Sequence, residues 1–234
     1  MVIDSLSVFF PTYNEGANIK STIEKARVVL LKIVKDWEII IVNDGSTDDT
    51  RKIAEVLSKE DNRVKVINHE VNRGYGVSLR SGFYSAKYSW IAFTDSDGQF
   101  DFSEIVNFFQ KQKETNADLV IGYYKKRRVS KFKIITSRMW EIAVTVFFGL
   151  NLHDIDCGFK LINKKAINEI PKLESERGAF ISSELLIKAK KKGFKIVEVP
   201  VTHLPRLQGK GTGRDIKVII QSFVDLFKLW RKLT

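Results

Sequence analysis

The sequence predicts an α/β domain in which a mostly parallel central sheet carries helices on both faces, followed by a C-terminal amphipathic helix. Three observations carry this. Short apolar runs alternate with helically spaced stretches through the first half, the order that builds βαβ units. Polar clusters follow the first, second and fourth apolar runs, and in a parallel sheet all of them fall at the carboxyl edge, where ligands bind. The segment 215–234 spaces Ile216, Ile219, Ile220, Phe223, Phe227 and Trp230 along one helical face, with Lys228, Arg231 and Lys232 nearby.

In chain order, Leu6 to Phe10 is the first expected strand and Ala17 to Val34 the first helix, on its helical spacing of apolar residues. Trp37 to Val42 is a β-branched run that ends at the turn sequence Asn43-Asp44-Gly45. A helix over Thr50 to Leu57 precedes a strand over Val64 to Asn68, and a helix over Gly76 to Ala86 precedes a strand over Trp90 to Thr94. Phe102 to Gln112 and Leu119 to Tyr123 repeat the pair. The second half is less regular: a strand over Cys157 to Ile162, a helix over Phe180 to Ala189 that contains Glu184, and a strand over Lys195 to Val201. One domain is expected over 1–214, with 215–234 a helix that either docks on the core or lies in a lipid interface.

Composition sets bounds. A chain of 234 residues, 44% hydrophobic and 29% charged, is an ordinary globular composition, large enough for one substantial core. The N-terminus lacks a basic flank and carries Asp4, so it does not read as a secretory signal. The uncharged run Ile142 to His153 is too short to span a bilayer, which needs roughly 20 apolar residues. The lone Cys157 excludes an internal disulfide and fits a reducing cytosol.

The net charge of +11 suits nucleic acid, anionic lipid or a phosphorylated substrate. Position narrows the choice. Lys125, Lys126, Arg127, Arg128, Lys131, Lys133 and Arg138 occur without an intervening acid, and Ile134, Trp140, Ile142, Val146 and Phe147 lie among or just after them. Basic residues beside apolar ones point to a membrane interface; the plainer alternative is a solvated loop leading into a core helix. No DNA or RNA module is visible, so nucleic acid is not an expected partner.

The chemistry is concentrated at the polar ends of the strands. Asp95 and Asp97 close a buried apolar run one residue apart, so they can grip one hard cation or simply form a polar turn. An EF-hand is excluded, since its sixth and twelfth positions would be Phe100 and Val106. The neighbouring ends, Pro11-Thr12-Tyr13-Asn14-Glu15 and Asn43-Asp44-Gly45-Ser46-Thr47-Asp48, share the same edge. The turn Asn72-Arg73-Gly74-Tyr75-Gly76 opens a helix suited to an anion, but Leu79 stands where a dinucleotide fingerprint needs its last glycine. Leu204 to Arg214 is a glycine-rich basic loop able to fold over an anionic ligand.

These motifs, with Asp156-Cys157-Gly158-Phe159-Lys160, Ser183-Glu184-Leu185, and Arg206 with Gly209-Lys210, resemble the family 2 glycosyltransferases of the GT-A fold. The likeness is strongest to the polyprenol-phosphate hexose synthases, the dolichol-phosphate mannose or glucose synthases. It implies that Pro11, Tyr13, Glu15 and Asp44 hold the base and ribose of a nucleotide-sugar. It implies that Asp95, Asp97 and Gln99 bind Mg2+ or Mn2+ and the donor diphosphate, and that Lys133, Ser137 and Arg206 hold the acceptor phosphate. Asp95, Asp97 and Arg206 would be the catalytic residues. Tyr124 or Lys125 stands where the family has a further arginine, which makes Lys125 a further acceptor-phosphate candidate.

The implied reaction is inverting transfer of a hexose, mannose or glucose from GDP-mannose or UDP-glucose, to a polyprenyl or dolichyl phosphate. A phosphate is already an anion at neutral pH and attacks without a general base, whereas a sugar hydroxyl needs one. For a hydroxyl acceptor the base would be Asp154, Asp156 or Glu184. A non-catalytic membrane adaptor is the reading from another class. The expected location is the cytoplasmic face of a membrane, held peripherally or by a partner subunit.

Overall fold

The computed structural model describes residues 2–124, 131–176, 178, 180–205 and 216–233, without the side chains of 131–135 and 216–220. Its strands are β1 (Ile3–Thr12), β2 (Val34–Asp44), β3 (Val64–His69), β4 (Trp90–Phe93), β5 (Leu119–Tyr124), β6 (Lys160–Asn163) and β7 (Ile196–Val201). They form one sheet in the order β3-β2-β1-β4-β6-β5-β7. The pairs β1–β2, β1–β4, β2–β3 and β5–β7 are parallel, while β6 runs antiparallel to both β4 and β5. All strands but β6 therefore end at one edge, and β6 starts there.

The helices are α1 (Ile19–Ile33), α2 (Thr50–Glu60), α3 (Tyr75–Ser85), α4 (Ile105–Thr115), α5 (Lys131–Phe148), α6 (Lys164–Glu169), α7 (Phe180–Lys191) and α8 (Ile216–Leu233). Alternate strand residues serve opposite faces. Val8, Phe10, Ile39 and Ile41 pack with α1, α2 and α4, whereas Phe9, Ile40 and Val42 pack with α3 and the later helices. This two-sided burial explains why β1 and β2 read as continuous apolar runs rather than as alternating ones.

The second half departs from expectation in three places. The strand expected from Cys157 begins at Lys160, because Cys157 to Phe159 instead wrap against the end of β4. Helix α6 is a single short element capped by the Asn163 side chain, which accepts from the Lys165 amide at 3.0 Å. Of the basic segment before Trp140, Lys131, Lys133 and Arg138 lie in helix α5, while Lys125 to Arg128 lie outside the described residues. Trp140 fastens that helix: its indole N–H donates to Ser183 of α7 at 3.1 Å, and its ring meets Phe180 and, from α8, Phe223.

Helix α8 resolves the choice between docking and exposure by doing both. Leu226 and Leu229 are buried in the core, while Val224 and Phe227 face outward. Among the described residues no helix is long and apolar enough to cross a membrane.

A buried ion pair holds the chain that leads into α7. Glu184 accepts from the Glu174 and Ser175 amides at 2.8 and 2.9 Å and from the Lys188 ammonium at 2.5 Å, and Lys188 also donates to the Lys172 carbonyl. Removing one member leaves an uncompensated charge in the interior, which costs about 3–5 kcal/mol. Lys188→Ala should lose stability of that order in urea denaturation; a loss under about 1 kcal/mol would show that the pair is not structural.

Candidate active site

The loops after β1 and β2 are joined side by side. Asn14 N–H donates to the Ser46 hydroxyl at 3.0 Å and Thr47 N–H donates to the Asn14 side-chain oxygen at 2.8 Å. Asp48 accepts from Gly16 N–H, Thr50 N–H and the Thr50 hydroxyl. Burial disfavours the Asp48 charge, but those hydrogen bonds outweigh it and hold the carboxyl below its usual range. On this joined edge Pro11 is buried, Tyr13 is exposed, and Glu15 receives the Asn18 side chain at 2.7 Å.

Asp44 is turned inward, 3% exposed. It accepts from His69 Nδ1 at 2.6 Å, Arg73 N–H at 3.0 Å and Gly74 N–H at 2.8 Å. It therefore clamps the turn that opens α3. Gly45 has φ +67 and would clash with Val71 and Asn72 if it carried a side chain, which explains the glycine after Asp44.

The carboxylate pair lies in a turn, since β4 stops at Phe93; strand alternation does not orient it. Specific bonds do. The Tyr75 hydroxyl donates to Asp95 Oδ1 at 2.8 Å, Ser96 Oγ donates to the Pro11 carbonyl at 2.9 Å, and Gln99 N–H donates to Asp97 Oδ1 at 3.0 Å. Burial and the Asp95 charge push the Tyr75 phenol well up, so it remains a donor. Gly158 closes the other side: a side-chain carbon there would sit 2.2 Å from Asp95 Oδ2.

His203, just past β7, completes this edge and carries no sequence motif that announces it. Gln99 Nε2 lies 3.1 Å from His203 Nε2 and 3.2 Å from the Leu204 carbonyl. Because the carbonyl can only accept, the amide is the donor and His203 Nε2 accepts. Tyr124 packs on His203, with ring centroids 4.5 Å apart. Burial first, then Cys157, Asp95, Asp154 and Asp97, raise the Tyr124 phenol.

Lys160, 0% exposed at the start of β6, supplies a cation behind them. Its ammonium donates to the Cys157 carbonyl and lies 3.4 Å from the Ser182 hydroxyl. Burial lowers its pKa, opposed by the charges of Cys157, Asp156, Asp154 and Asp95. Burial pushes the Cys157 thiol up to about 12, which makes it an inert packing group. Of the carboxylates considered as bases for a hydroxyl acceptor, Asp154 is buried, Asp156 is exposed, and Glu184 is committed to the Glu174 and Ser175 amides and Lys188.

The acceptor candidates divide. Ser137 is half-buried on α5, and Lys133 lies on the same helix one turn earlier. Lys125 and Arg206, with Gly209 and Lys210, lie outside the described residues.

Asp95 and Asp97 offer hard oxygen ligands that suit Mg2+ or Mn2+, and the His203 imidazole could join them only by giving up its bond from Gln99. Among the described residues no group of three or more acidic, histidine or cysteine side chains could hold a metal alone. A cation here fits the pattern in which one or two carboxylates share it with substrate phosphate. Gly158→Ala must displace Asp95, so Mn2+ affinity should fall about tenfold or more in a titration followed by paramagnetic resonance. Unchanged affinity would mean that Asp95 does not ligate the ion.

Comparison with known proteins agrees with this geometry. The family model described as Glycosyl transferase family 2 matches residues 7–171. The chain is 31% identical over 221 residues to the dolichyl-phosphate beta-glucosyltransferase of Saccharomyces cerevisiae, covering 84% of this chain and 66% of that protein. It is 27% identical over 227 residues to the dodecaprenyl-phosphate galacturonate synthase of Rhizobium johnstonii, covering 95% and 66%. It thus spans just under two thirds of the length of each. Glucosyl-3-phosphoglycerate synthase from Mycobacterium tuberculosis, solved with Mn2+, UDP-glucose and phosphoglyceric acid, has the same fold at a TM-score of 0.71 and 20% identity, over 97% of this chain and 80% of that one. The chain belongs to glycosyl transferase family 2 and has the GT-A fold.

Proposed function

We propose that this enzyme transfers a hexose from a nucleotide-sugar to the phosphate of a polyprenyl or dolichyl phosphate, inverting the anomeric centre, at the cytoplasmic face of a membrane. The observation that carries the reading is the acceptor named for its relatives: dolichyl phosphate for the yeast enzyme and dodecaprenyl phosphate for the bacterial one. The commitment of Glu184 to backbone and Lys188 supports it, since a phosphate nucleophile needs no carboxylate base. Glucose from UDP-glucose is favoured over mannose from GDP-mannose, because the yeast relative is named a glucosyltransferase and the structural neighbour binds UDP-glucose.

In this reading the 1–214 unit is catalytic. Pro11, Tyr13, Glu15 and Asp44 line the base and ribose, and Asp95, Asp97 and Gln99, with His203, hold Mg2+ or Mn2+ against the donor diphosphate. The ion, when bound, supplies a Lewis acid for the departing nucleoside diphosphate. Lys133, Ser137, Lys125 and Arg206 bring the acceptor phosphate up to the anomeric carbon, and their positive charge offsets the repulsion between two anionic reactants. Catalysis is then positional and electrostatic.

The C-terminal helix 215–234 and α5 provide the membrane-facing surface. Met139, Ile142, Val146, Val224 and Phe227 are exposed beside Arg138, Lys228 and Arg231, the mixture expected at an anionic lipid interface.

Radiolabelled UDP-glucose or GDP-mannose should label polyprenyl phosphate, only with a divalent cation present, and leave an oligosaccharide acceptor unlabelled. Asp97→Ala should lower that transfer about 10²-fold or more while remaining folded. Label in the oligosaccharide would replace this acceptor with a hydroxyl.

A further inference from the structure

The turn Asn72 to Tyr75 is held at both ends by carboxylates with different assignments. At one end Asp44 accepts the Arg73 and Gly74 amides at 3.0 and 2.8 Å. At the other, the Tyr75 hydroxyl donates to Asp95 Oδ1 at 2.8 Å. Asp44 is itself held by His69 at 2.6 Å, whose second ring nitrogen meets the Ser81 hydroxyl at 3.0 Å. A carboxylate has about four acceptor positions, and the protein fills three on Asp44, leaving capacity on Oδ2 for a nucleoside donor.

The turn has little room to absorb a shift. Gly74 has φ +96, and a side-chain carbon at Gly76 would lie 2.4 Å from the Ser175 carbonyl. Val77 N–H bonds to the Glu176 carbonyl at 3.2 Å, and Ser175 is in turn held by Glu184. A displacement at Asp44 is therefore passed along the turn to Tyr75 rather than dissipated within it.

We propose that Tyr75 is a positioning residue of the donor site: its hydroxyl sets the Asp95 carboxylate, and the turn it stands on couples nucleoside binding at Asp44 to cation binding at Asp95. This rests on the reading of Asp44 as a nucleoside contact and Asp95 as a metal ligand. Because the turn moves as one body, a ligand that sets one end favours the placement the other end needs, and each tightens the other by the same factor.

Uridine and guanosine are the probes, because they carry no phosphate to bridge to the ion. Mn2+ titrations of the full chain, followed by paramagnetic resonance, should show affinity rising about fivefold or more with saturating nucleoside. Tyr75→Phe should weaken Mn2+ alone about tenfold, abolish the nucleoside effect, and recover transfer activity at raised Mn2+, a rescue that a purely structural defect would not show. His69→Ala should keep the Mn2+ affinity measured alone and lose the nucleoside effect. Independent binding of Mn2+ and nucleoside to the wild-type chain, or coupling that survives Tyr75→Phe, would overturn this inference and leave the transferase reading standing. Absence of both Mn2+ and nucleoside binding would overturn both.

Discussion

The fixing of the Asp95 and Asp97 carboxylates at the open end of β4 is the constraint around which the site is built. Asp95, Asp97 and Asp154 all act on the Tyr124 phenol, and Asp95, Asp154 and Asp156 all act on the Lys160 ammonium. Carboxylates drawn away from water need donors or a countercharge fixed beside them. The Tyr75 hydroxyl, the Gln99 amide and buried Lys160 provide them. Carboxylates held in this way would suit a divalent cation shared with a diphosphate.

Backbone geometry makes that arrangement possible. Running β6 antiparallel between β4 and β5 brings its first residue, Lys160, to the edge where its neighbours end. The approach to that strand passes over Asp95 at Gly158, where any side chain would collide with the carboxylate. Tight contacts at Gly45 and Gly76 seat the Asn72 turn between β2 and the chain near Ser175. The same core thus sets both the donor loops and the angle at which α3 presents Tyr75.

Much of this was legible in the sequence because β1, β2, β4 and β5 are largely buried on both faces and so are written as apolar runs with polar ends. The three clusters at Pro11, Asn43 and Asp95 did fall on one edge, as a parallel sheet requires. The direction of β6 was not legible, since nothing in four residues encodes the partner strand. Lys160 reads as a surface residue, and only the fold shows it buried. His69 and His203 lie far along the chain from Asp44 and Gln99, and no local pattern links either pair. Asp44 shows a deeper limit: a motif names the residue, but its inward bonds become visible only when the turn from 72 to 74 is folded against it.

In the proposed function, the second half separates two tasks that a membrane-bound substrate would impose. Helices α5 and α8 bury one side in the core through Trp140, Leu226 and Leu229 and leave an apolar and basic side outward. The transferase edge stays polar and acidic, so a lipid-linked anion would meet basic residues first and the cation site last. The central claim is that Asp95 and Asp97 hold that cation. Crystals grown with Mn2+ and UDP should show one anomalous-difference peak within coordination distance of both carboxylates and of the diphosphate. A peak elsewhere, or UDP bound without any peak beside Asp95 and Asp97, would contradict the account.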